Sequence, residues 1–186
     1  MIALVTGGSG SGKSAWAEGL CAALQPGEKT YIATMDPHGG GAGARIARHR
    51  AMREGKGFRT EERPRSLSGL ALGGADTALL ECMSNLTANV MFSPAPPADC
   101  AGRIWGELEP LMDRCGNLVV VSNEIFSDGV AYDPDTTAYL AALGDLNRRI
   151  AARADLVAEI VCGLPIFWKG EDVYAGVLRS AGRGQG

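Results

Sequence analysis

Long apolar runs, paired cysteines and a basic excess are all missing from this 186-residue chain. No apolar run approaches the ~20 residues that a helix needs to cross a bilayer, so we expect no membrane span. The five cysteines are odd in number and lack C-x-x-C spacing, which argues against disulfides or a zinc site and predicts reduced, buried thiols. Met1 leads directly into an apolar segment of strand length, without room for a signal peptide, and we expect a cytoplasmic protein.

The charge balance excludes a further class of function. The formal net charge is −3 and the sequence pI is about 5.4, which argues against a broad nucleic-acid-binding surface. The composition is 46% hydrophobic, enough for one compact core, and the sequence shows no internal repeat. We therefore expect a single domain over residues 1–186, with a glycine-rich tail at residues 179–186 that is frayed.

The most informative stretch is residues 4–14, an apolar strand that runs into Gly-x-x-x-x-Gly-Lys-Ser. This is the phosphate-binding loop pattern, in which glycines let several backbone N–H groups face one phosphate. Lys13 would bring a positive charge to the outer phosphates, and the hydroxyl of Ser14 is a ligand for Mg²⁺. The apolar spacing after Lys13 predicts a helix whose positive dipole end faces the same anion.

The rest of the chain alternates segments typical of strands and helices. Alternation of this kind predicts an α/β fold of three layers, a phosphate-loop NTPase-like domain whose mostly parallel sheet is covered on both faces. Strands are predicted at residues 2–6, 29–34, 58–60, 77–82, 117–122 and 156–162. Helices are predicted to begin at residue 13 and to span residues 44–53, 66–72, 84–92, 98–115 and 135–153.

Ligands in such folds bind at the carboxyl ends of the strands. Thr34, Glu81 and Glu124 all fall at predicted carboxyl ends, beside the expected position of the phosphate loop. A carboxylate there could hold Mg²⁺ directly or through water, or could be satisfied by a neighbouring helix N-terminus. Glu81 is the stronger candidate for a functional role, whereas the two readings of Glu124 are balanced.

His49 lies in a strongly basic segment, and the chain contains only one other histidine, His38. A helix over residues 44–53 would place Arg45, His49 and Arg53 on one face, which repels itself unless an anion lies against it. Nearby cations lower the pKa of an imidazole, and a neutral imidazole can attack phosphorus. A solvated basic face with an incidental histidine explains the same pattern, and the residue types alone do not decide between the two.

Several motifs together resemble the bifunctional adenosylcobinamide kinase / adenosylcobinamide-phosphate guanylyltransferase family of cobalamin synthesis. They occur in order over nearly the whole chain: residues 7–14, 31–34, Arg45-Ile46-x-x-His49-x-x-x-Arg53, Thr60-x-Glu62, residues 79–82, 123–124, 146–149 and 163–165. The Arg-Ile-x-x-His segment is the specific one. The chain departs from the family pattern after Arg53, where Glu54 replaces a proline and Phe58 a tryptophan.

The resemblance implies two reactions. The first phosphorylates the hydroxyl of adenosylcobinamide from ATP or GTP. The second moves GMP from GTP onto adenosylcobinamide phosphate, releases pyrophosphate and gives adenosylcobinamide-GDP. In the family this transfer passes through a GMP–histidine intermediate, and His49 matches that histidine.

The resemblance also implies roles for further residues. It implies catalytic roles for His49 and Lys13 and Mg²⁺ binding by Ser14 and Glu81. It also implies a trimer, because the family's members form trimers. The implied nucleotide-binding residues are Gly7, Gly8, Ser9, Gly10, Ser11, Gly12, Lys13, Ser14, Ala33, Thr34, Met35, Arg50, Ala51, Met52, Arg53, Glu62 and Glu81. Arg50 and Arg53 would stabilise charge on the α-phosphoryl group or on pyrophosphate.

Two alternatives share the same phosphate loop. One is a small-molecule kinase of this fold in which His49 does no covalent chemistry, and the other is a nucleotide-gated binding protein with slow hydrolysis. The basic segment that carries His49 favours the transferase over both.

Overall fold

The computed structural model of the chain describes residues 1–24, 28–36 and 55–183. Over these residues the chain forms a seven-stranded sheet in the order β3-β2-β4-β5-β1-β6-β7. The strands are β1 Ile2–Thr6, β2 Lys29–Ala33, β3 Phe58–Glu62, β4 Thr77–Glu81, β5 Asn117–Val121, β6 Leu156–Val161 and β7 Leu164–Lys169. Every pairing is parallel except that of β6 with β7. The predicted mostly parallel sheet is confirmed.

The described residues include five helices. They are α1 Lys13–Ala23, α2 Met83–Met91, α3 Cys100–Arg114, α4 Pro134–Arg153 and α5 Glu171–Arg183. Two of them begin at a carboxylate that accepts backbone N–H groups: Asp99 accepts from Gly102 before α3, and Asp133 accepts from Asp135 and Thr136 before α4. Such caps satisfy amides that have no partner within the helix. The helix predicted over residues 44–53 lies outside the described residues.

The two faces of the sheet bury separate cores, which gives the predicted three layers. Side chains alternate along each strand, so Leu4 and Leu80 face α2, α3 and α4, whereas Val5 and Leu79 face α1 and α5. The central strands are buried on both sides, and all five residues of β4 are buried. Such strands are near-continuous apolar runs, which is why the sequence located them.

One predicted helix is wrong. Residues 66–72 form no helix, although Leu67 and Leu70 are buried as the apolar spacing suggested. The carboxylate of Glu107, on α3, accepts hydrogen bonds from the Leu67 amide at 2.6 Å and from the Ser66 hydroxyl at 3.0 Å. Gly69 then adopts a positive φ of 74°, which interrupts any helical turn.

Residues 179–183, which lie in the tail predicted to be frayed, belong to α5. Tyr174 of this helix stacks on Trp16 of α1, with 5.2 Å between the ring centroids.

All five cysteines are free, and Cys21, Cys82 and Cys100 are buried as expected, but Cys162 is exposed. Cys162 stands with Gly163 in the tight β6–β7 turn, where both have positive φ. Within the described part of the chain, no helix is both long and apolar enough to cross a membrane.

Candidate nucleotide-binding site

The phosphate loop lies between the carboxyl end of β1 and the first turn of α1, near the centre of the sheet. A Cβ at Gly7 would lie 2.6 Å from the carbonyl oxygen of Ile160, and one at Gly12 would lie 3.2 Å from the Cα of Gly163. Gly12 also has a φ of 92°, in the left-handed region. The loop therefore needs glycine at both positions in order to pass this closely beside the β6–β7 hairpin.

Two backbone hydrogen bonds fix the loop to its neighbours. The amide of Gly163 donates to the carbonyl of Ser11 at 2.8 Å, and the amide of Glu124 donates to the carbonyl of Gly7 at 3.0 Å. The hairpin after β6 and the loop after β5 thus hold opposite sides of the phosphate loop. Gly8, Ser9 and Gly10 remain exposed between them.

Lys13 and Ser14 open α1 and face the loop and β4. The Lys13 side chain is buried, and its Nζ donates to the carbonyl of Gly8 at 3.0 Å. The Ser14 hydroxyl donates to the Glu81 carboxylate. The predicted phosphate and Mg²⁺ residues of the loop are therefore brought together with the acid that ends β4.

The predicted residues of β2, β3 and β4 end side by side. Ala33 is in register with Glu62 on one side and with Glu81 on the other. Thr34 follows in a fully buried position, and its amide donates to the Glu81 carbonyl at 3.1 Å. Met35 comes next and is partly buried. These residues form one continuous edge next to Ser14.

Cys82 follows Glu81, and hydrogen bonds to Thr34 hold its backbone at the same edge. The hydroxyl of Thr34 accepts a hydrogen bond from the Cys82 amide at 2.7 Å and donates one to the Cys82 carbonyl at 2.8 Å. Burial raises the pKa of the Cys82 thiol, which therefore stays neutral beside Glu81. The position is built for packing rather than for thiolate chemistry.

The Glu124 side chain forms hydrogen bonds within its own loop. Its Oε1 accepts hydrogen bonds from the amide of Phe126 at 3.0 Å and from the hydroxyl of Ser127 at 2.9 Å. The neighbouring Asn123 donates to the Ser84 hydroxyl at 2.7 Å. These contacts stabilise the start of the loop between β5 and α4, and they favour the structural reading of Glu124 over a metal-binding one.

The remaining predicted site residues are not described. His49, Arg50, Ala51, Met52 and Arg53 lie outside the described residues, as does His38. The described edge therefore contains the predicted phosphate-loop residues together with Ala33, Thr34, Met35, Glu62 and Glu81.

The oxygen atoms of Ser14 and Glu81 at this edge suit a hard cation that also binds the phosphates of a nucleotide. A serine hydroxyl and a carboxylate offer oxygen ligands, and Mg²⁺ typically keeps several waters and binds one or two carboxylates plus substrate phosphates. Among the residues that the structure describes, no group of three or more His, Cys, Asp or Glu could form an all-protein metal site. Ser14 and Glu81 thus fit Mg²⁺ in the role it has beside nucleotides.

Two polar contacts near the site escaped the sequence reasoning. Asn89, on α2, donates to the carbonyls of Thr34 and Pro64. Glu18, on the buried face of α1, pairs with Lys56, which precedes β3. For Glu18 the available signal was a charged residue on an apolar helical face, because such a residue requires a partner when buried. Asn89 gave no such signal, because Ser84, Asn85 and Thr87 are also polar residues of α2.

A phosphate loop between a central parallel strand and a helix, faced by an acid from another strand of the same sheet, defines a phosphate-loop NTPase-like protein. The family described as "Cobinamide kinase / cobinamide phosphate guanyltransferase" matches residues 3–167. The chain belongs to this family of enzymes, as its motifs predicted.

Two bacterial relatives agree with this assignment. The chain is 35% identical over 175 residues to "Bifunctional adenosylcobalamin biosynthesis protein CobP" of Pseudomonas aeruginosa, covering 90% of this chain and 97% of the relative. It is 31% identical over 181 residues to "Bifunctional adenosylcobalamin biosynthesis protein CobU" of Salmonella typhimurium, covering 89% and 98%. The similarity thus spans almost the full length of both relatives.

Solved structures of other proteins are more distant. The flagellar accessory protein FlaH of Methanocaldococcus jannaschii is similar with a TM-score of 0.49 and 11% identity, covering 90% of this chain and 77% of that chain. The ATPase domain of G40P is similar with a TM-score of 0.49 and 9% identity, covering 85% and 68%. The fold class rests on the sheet order and the phosphate loop of this chain itself.

Proposed function

We propose that this chain phosphorylates adenosylcobinamide and then transfers GMP from GTP to adenosylcobinamide phosphate, with His49 as the transient carrier of GMP. The observation that supports the proposal most is the contact of Ser14 with Glu81, in a chain that belongs to the cobinamide kinase / guanyltransferase family. This contact joins a phosphate loop to an acid at the carboxyl edge of the sheet, where a Mg²⁺–nucleotide would bind.

In the first reaction the terminal hydroxyl of adenosylcobinamide attacks the γ-phosphorus of ATP or GTP, and the nucleoside diphosphate leaves. The exposed backbone at Gly8 and Gly10 would cradle the phosphates, and Lys13 would turn from the Gly8 carbonyl towards them. Ser14 and Glu81 would hold Mg²⁺, which neutralises charge on the phosphate oxygens when bound.

In the second reaction the imidazole of His49 attacks the α-phosphorus of GTP, and pyrophosphate leaves. A phosphate oxygen of adenosylcobinamide phosphate then attacks the same phosphorus, the P–N bond breaks, and adenosylcobinamide-GDP forms. The two-step route suits histidine, because imidazole is both a good nucleophile and a good leaving group. Arg50 and Arg53 would stabilise the charge that develops on the phosphoryl and leaving groups.

We further propose a homotrimer as the working assembly, following the family resemblance. The cytoplasm is the proposed compartment, since the five unpaired cysteines would remain reduced there. Light scattering coupled to size exclusion measures the trimer directly, and a monomeric mass at working concentrations would remove it from the proposal.

The test is intact-protein mass spectrometry after incubation with GTP and Mg²⁺. Wild type should gain the mass of one GMP, and His49→Ala should gain none. The chain has only two histidines, so His38→Ala is the matched control and should gain GMP like wild type. The adduct should be lost in acid, as expected for a P–N bond, and should pass to adenosylcobinamide phosphate on addition of that compound.

The alternatives have their own outcomes in this experiment. A protein that binds GTP and phosphorylates adenosylcobinamide but gains no GMP would be the plain kinase. A protein that binds GTP and modifies neither itself nor the corrinoid would be a nucleotide-gated binding protein. Full guanylyl transfer by His49→Ala would remove the covalent mechanism.

A further inference from the structure

The side-chain amide of Asn89 joins two loops that emerge from neighbouring strands. Its Nδ2 donates to the carbonyl of Thr34, after β2, at 2.8 Å and to the carbonyl of Pro64, after β3, at 2.9 Å. An asparagine amide has two donor hydrogens, so both are used. Asn89 therefore contacts both loops from α2.

Thr34 connects Asn89 to the edge formed by the carboxyl ends of β2 and β4, where the proposed nucleotide site lies. Thr34 is fully buried, its amide donates to the Glu81 carbonyl, and its hydroxyl bonds both backbone groups of Cys82. The carboxylate of Glu81 in turn accepts from Ser14 of the phosphate loop. A continuous series of contacts thus runs from Asn89 to Ser14.

The loop after β3 is tied to the same place. The amide of Arg63 donates to the carbonyl of Ala33 at 2.7 Å, which extends the β2–β3 ladder by one bond. Beyond it, Arg65 forms an ion pair with Asp36. With the Pro64 carbonyl held by Asn89, the end of β3 that carries Glu62 keeps its place next to Ala33.

We propose that Asn89 is a positioning residue for the nucleotide site, which holds the loops after β2 and β3 together and thereby fixes Glu81 against Ser14. The inference rests on the proposed nucleotide site but not on the chemistry of His49. Removal of the amide takes one hydrogen bond from each of the two carbonyls, and such groups draw in water or shift towards other donors. Displacements near 1 Å are enough to weaken a preorganised site.

The experiment compares Asn89→Ala and Asn89→Asp with Asn117→Asp. Asn117 is a matched control, since its Nδ2 donates to the Thr77 hydroxyl at 3.1 Å at the opposite end of the strands. The readouts are the Kd for Mg²⁺–GTP, the melting temperature of nucleotide-free protein, and amide hydrogen exchange. We expect about tenfold or greater loss of GTP affinity in the Asn89 variants. In Asn117→Asp the Kd should stay within about twofold for a comparable change in melting temperature.

Hydrogen exchange distinguishes a local effect from general destabilisation, because general destabilisation would speed exchange throughout the sheet. The amides of Thr34 and Arg63 should exchange faster in the Asn89 variants, whereas those of β1 should exchange as in wild type. If Asn89→Ala does not fold, Asn89→Ser, which can donate to only one carbonyl, takes its place.

The outcomes separate this proposal from the proposed function. Wild-type affinity for GTP in the Asn89 variants, or equal losses in Asn117→Asp, would overturn the positioning role. The proposed guanylyl transfer fails instead when wild type binds GTP without forming the His49 adduct, and the Asn89 comparison of Kd values is unaffected by that result.

Discussion

The hydroxyl of Ser14 donates a hydrogen bond to the carboxylate of Glu81, across 67 residues of chain. Ser14 opens α1, directly after the phosphate loop, and Glu81 ends β4, which lies two strands away from β1 in the sheet. The two side chains that we propose as Mg²⁺ ligands thus contact each other. In the proposed site, a Mg²⁺–nucleotide would replace this bond with contacts from both oxygens to the cation.

Replacing Ser14 with alanine should weaken Mg²⁺-dependent nucleotide binding by about tenfold, because it removes one of the two proposed protein ligands of the cation. The measurement is GTP titration with and without Mg²⁺. Ser68→Ala is the control, since Ser68 is an exposed serine outside the predicted site, and it should bind as wild type does. An unchanged effect of Mg²⁺ in Ser14→Ala would remove Ser14 from the metal site.

Lys13→Met should weaken nucleotide binding more strongly. The Lys13 ammonium is buried against the Gly8 carbonyl, 3.0 Å away, and it is already placed beside the loop that would hold the phosphates. A hydrogen bond to a charged group contributes about 1.5–3 kcal/mol, so affinity should fall by about 10- to 100-fold. Titration with GTP and with ATP measures this, and both should weaken together.

Lys169→Met is the control for Lys13, because Lys169 is an exposed lysine at the end of β7. A loss of affinity in this variant as large as that in Lys13→Met would mean that overall charge, not the loop contact, governs binding. Wild-type affinity in Lys13→Met would contradict the role of Lys13 outright.

Local sequence patterns predicted most of this fold, and the reason is physical. The buried strands are apolar runs, and the phosphate loop requires glycine at positions 7 and 12. Each of these features can therefore be recognised from a few consecutive residues. The same is true of Glu81, which is the last residue of its strand. These features depend on neighbours in the chain.

The features that were missed depend on residues far apart in the chain. Residues 66–72 have the apolar spacing of a helix but form none. The carboxylate of Glu107, 40 positions later, accepts a hydrogen bond from the Leu67 amide. Glu124, whose role the sequence left open, lies beyond the end of β5 at Val121, and its carboxylate bonds to its own loop. The two donors of Asn89 reach carbonyls 55 and 25 positions earlier. No local pattern records which carbonyl or carboxylate a fold brings to such a group.

Removal of Lys56 should destabilise the protein through Glu18. The Glu18 side chain has no exposed surface, and one carboxylate oxygen pairs with Lys56, whose side chain is 42% exposed. Lys56→Ala leaves a buried charge without its partner, and we expect a loss of about 2–3 kcal/mol in the free energy of unfolding. This is less than for a fully buried pair, because water can enter the space that the lysine leaves.

Urea unfolding of the double variant Glu18→Leu/Lys56→Met separates the ion pair from its surroundings. Apolar residues of similar volume often replace a buried ion pair without loss, so this double variant should be more stable than Lys56→Ala alone. A double variant that is less stable than Lys56→Ala would show that Glu18 has another essential contact.

Tyr139 gives the α2–α4 packing a dependence on alkaline pH. Its hydroxyl donates to the Ser84 carbonyl at 3.2 Å, and burial, with a smaller contribution from Cys82, raises its pKa from 10.0 to about 12. A pKa raised in the folded state means that the stabilisation is complete below pH 10 and is lost as the pH rises towards 12. Cys82, whose thiol pKa is also raised by burial, adds a loss of the same sign.

Tyr139→Phe isolates the contribution of the tyrosine. At pH 7 the variant should be less stable than wild type by about 1 kcal/mol, because the hydrogen bond to Ser84 is gone. Between pH 10 and 12 wild type should lose stability faster than the variant, since phenylalanine has no group to ionise, and the difference between the two should shrink. Urea unfolding at pH 7, 9 and 11 measures that difference, and a difference that stays constant would show that folding does not raise the pKa of the Tyr139 hydroxyl.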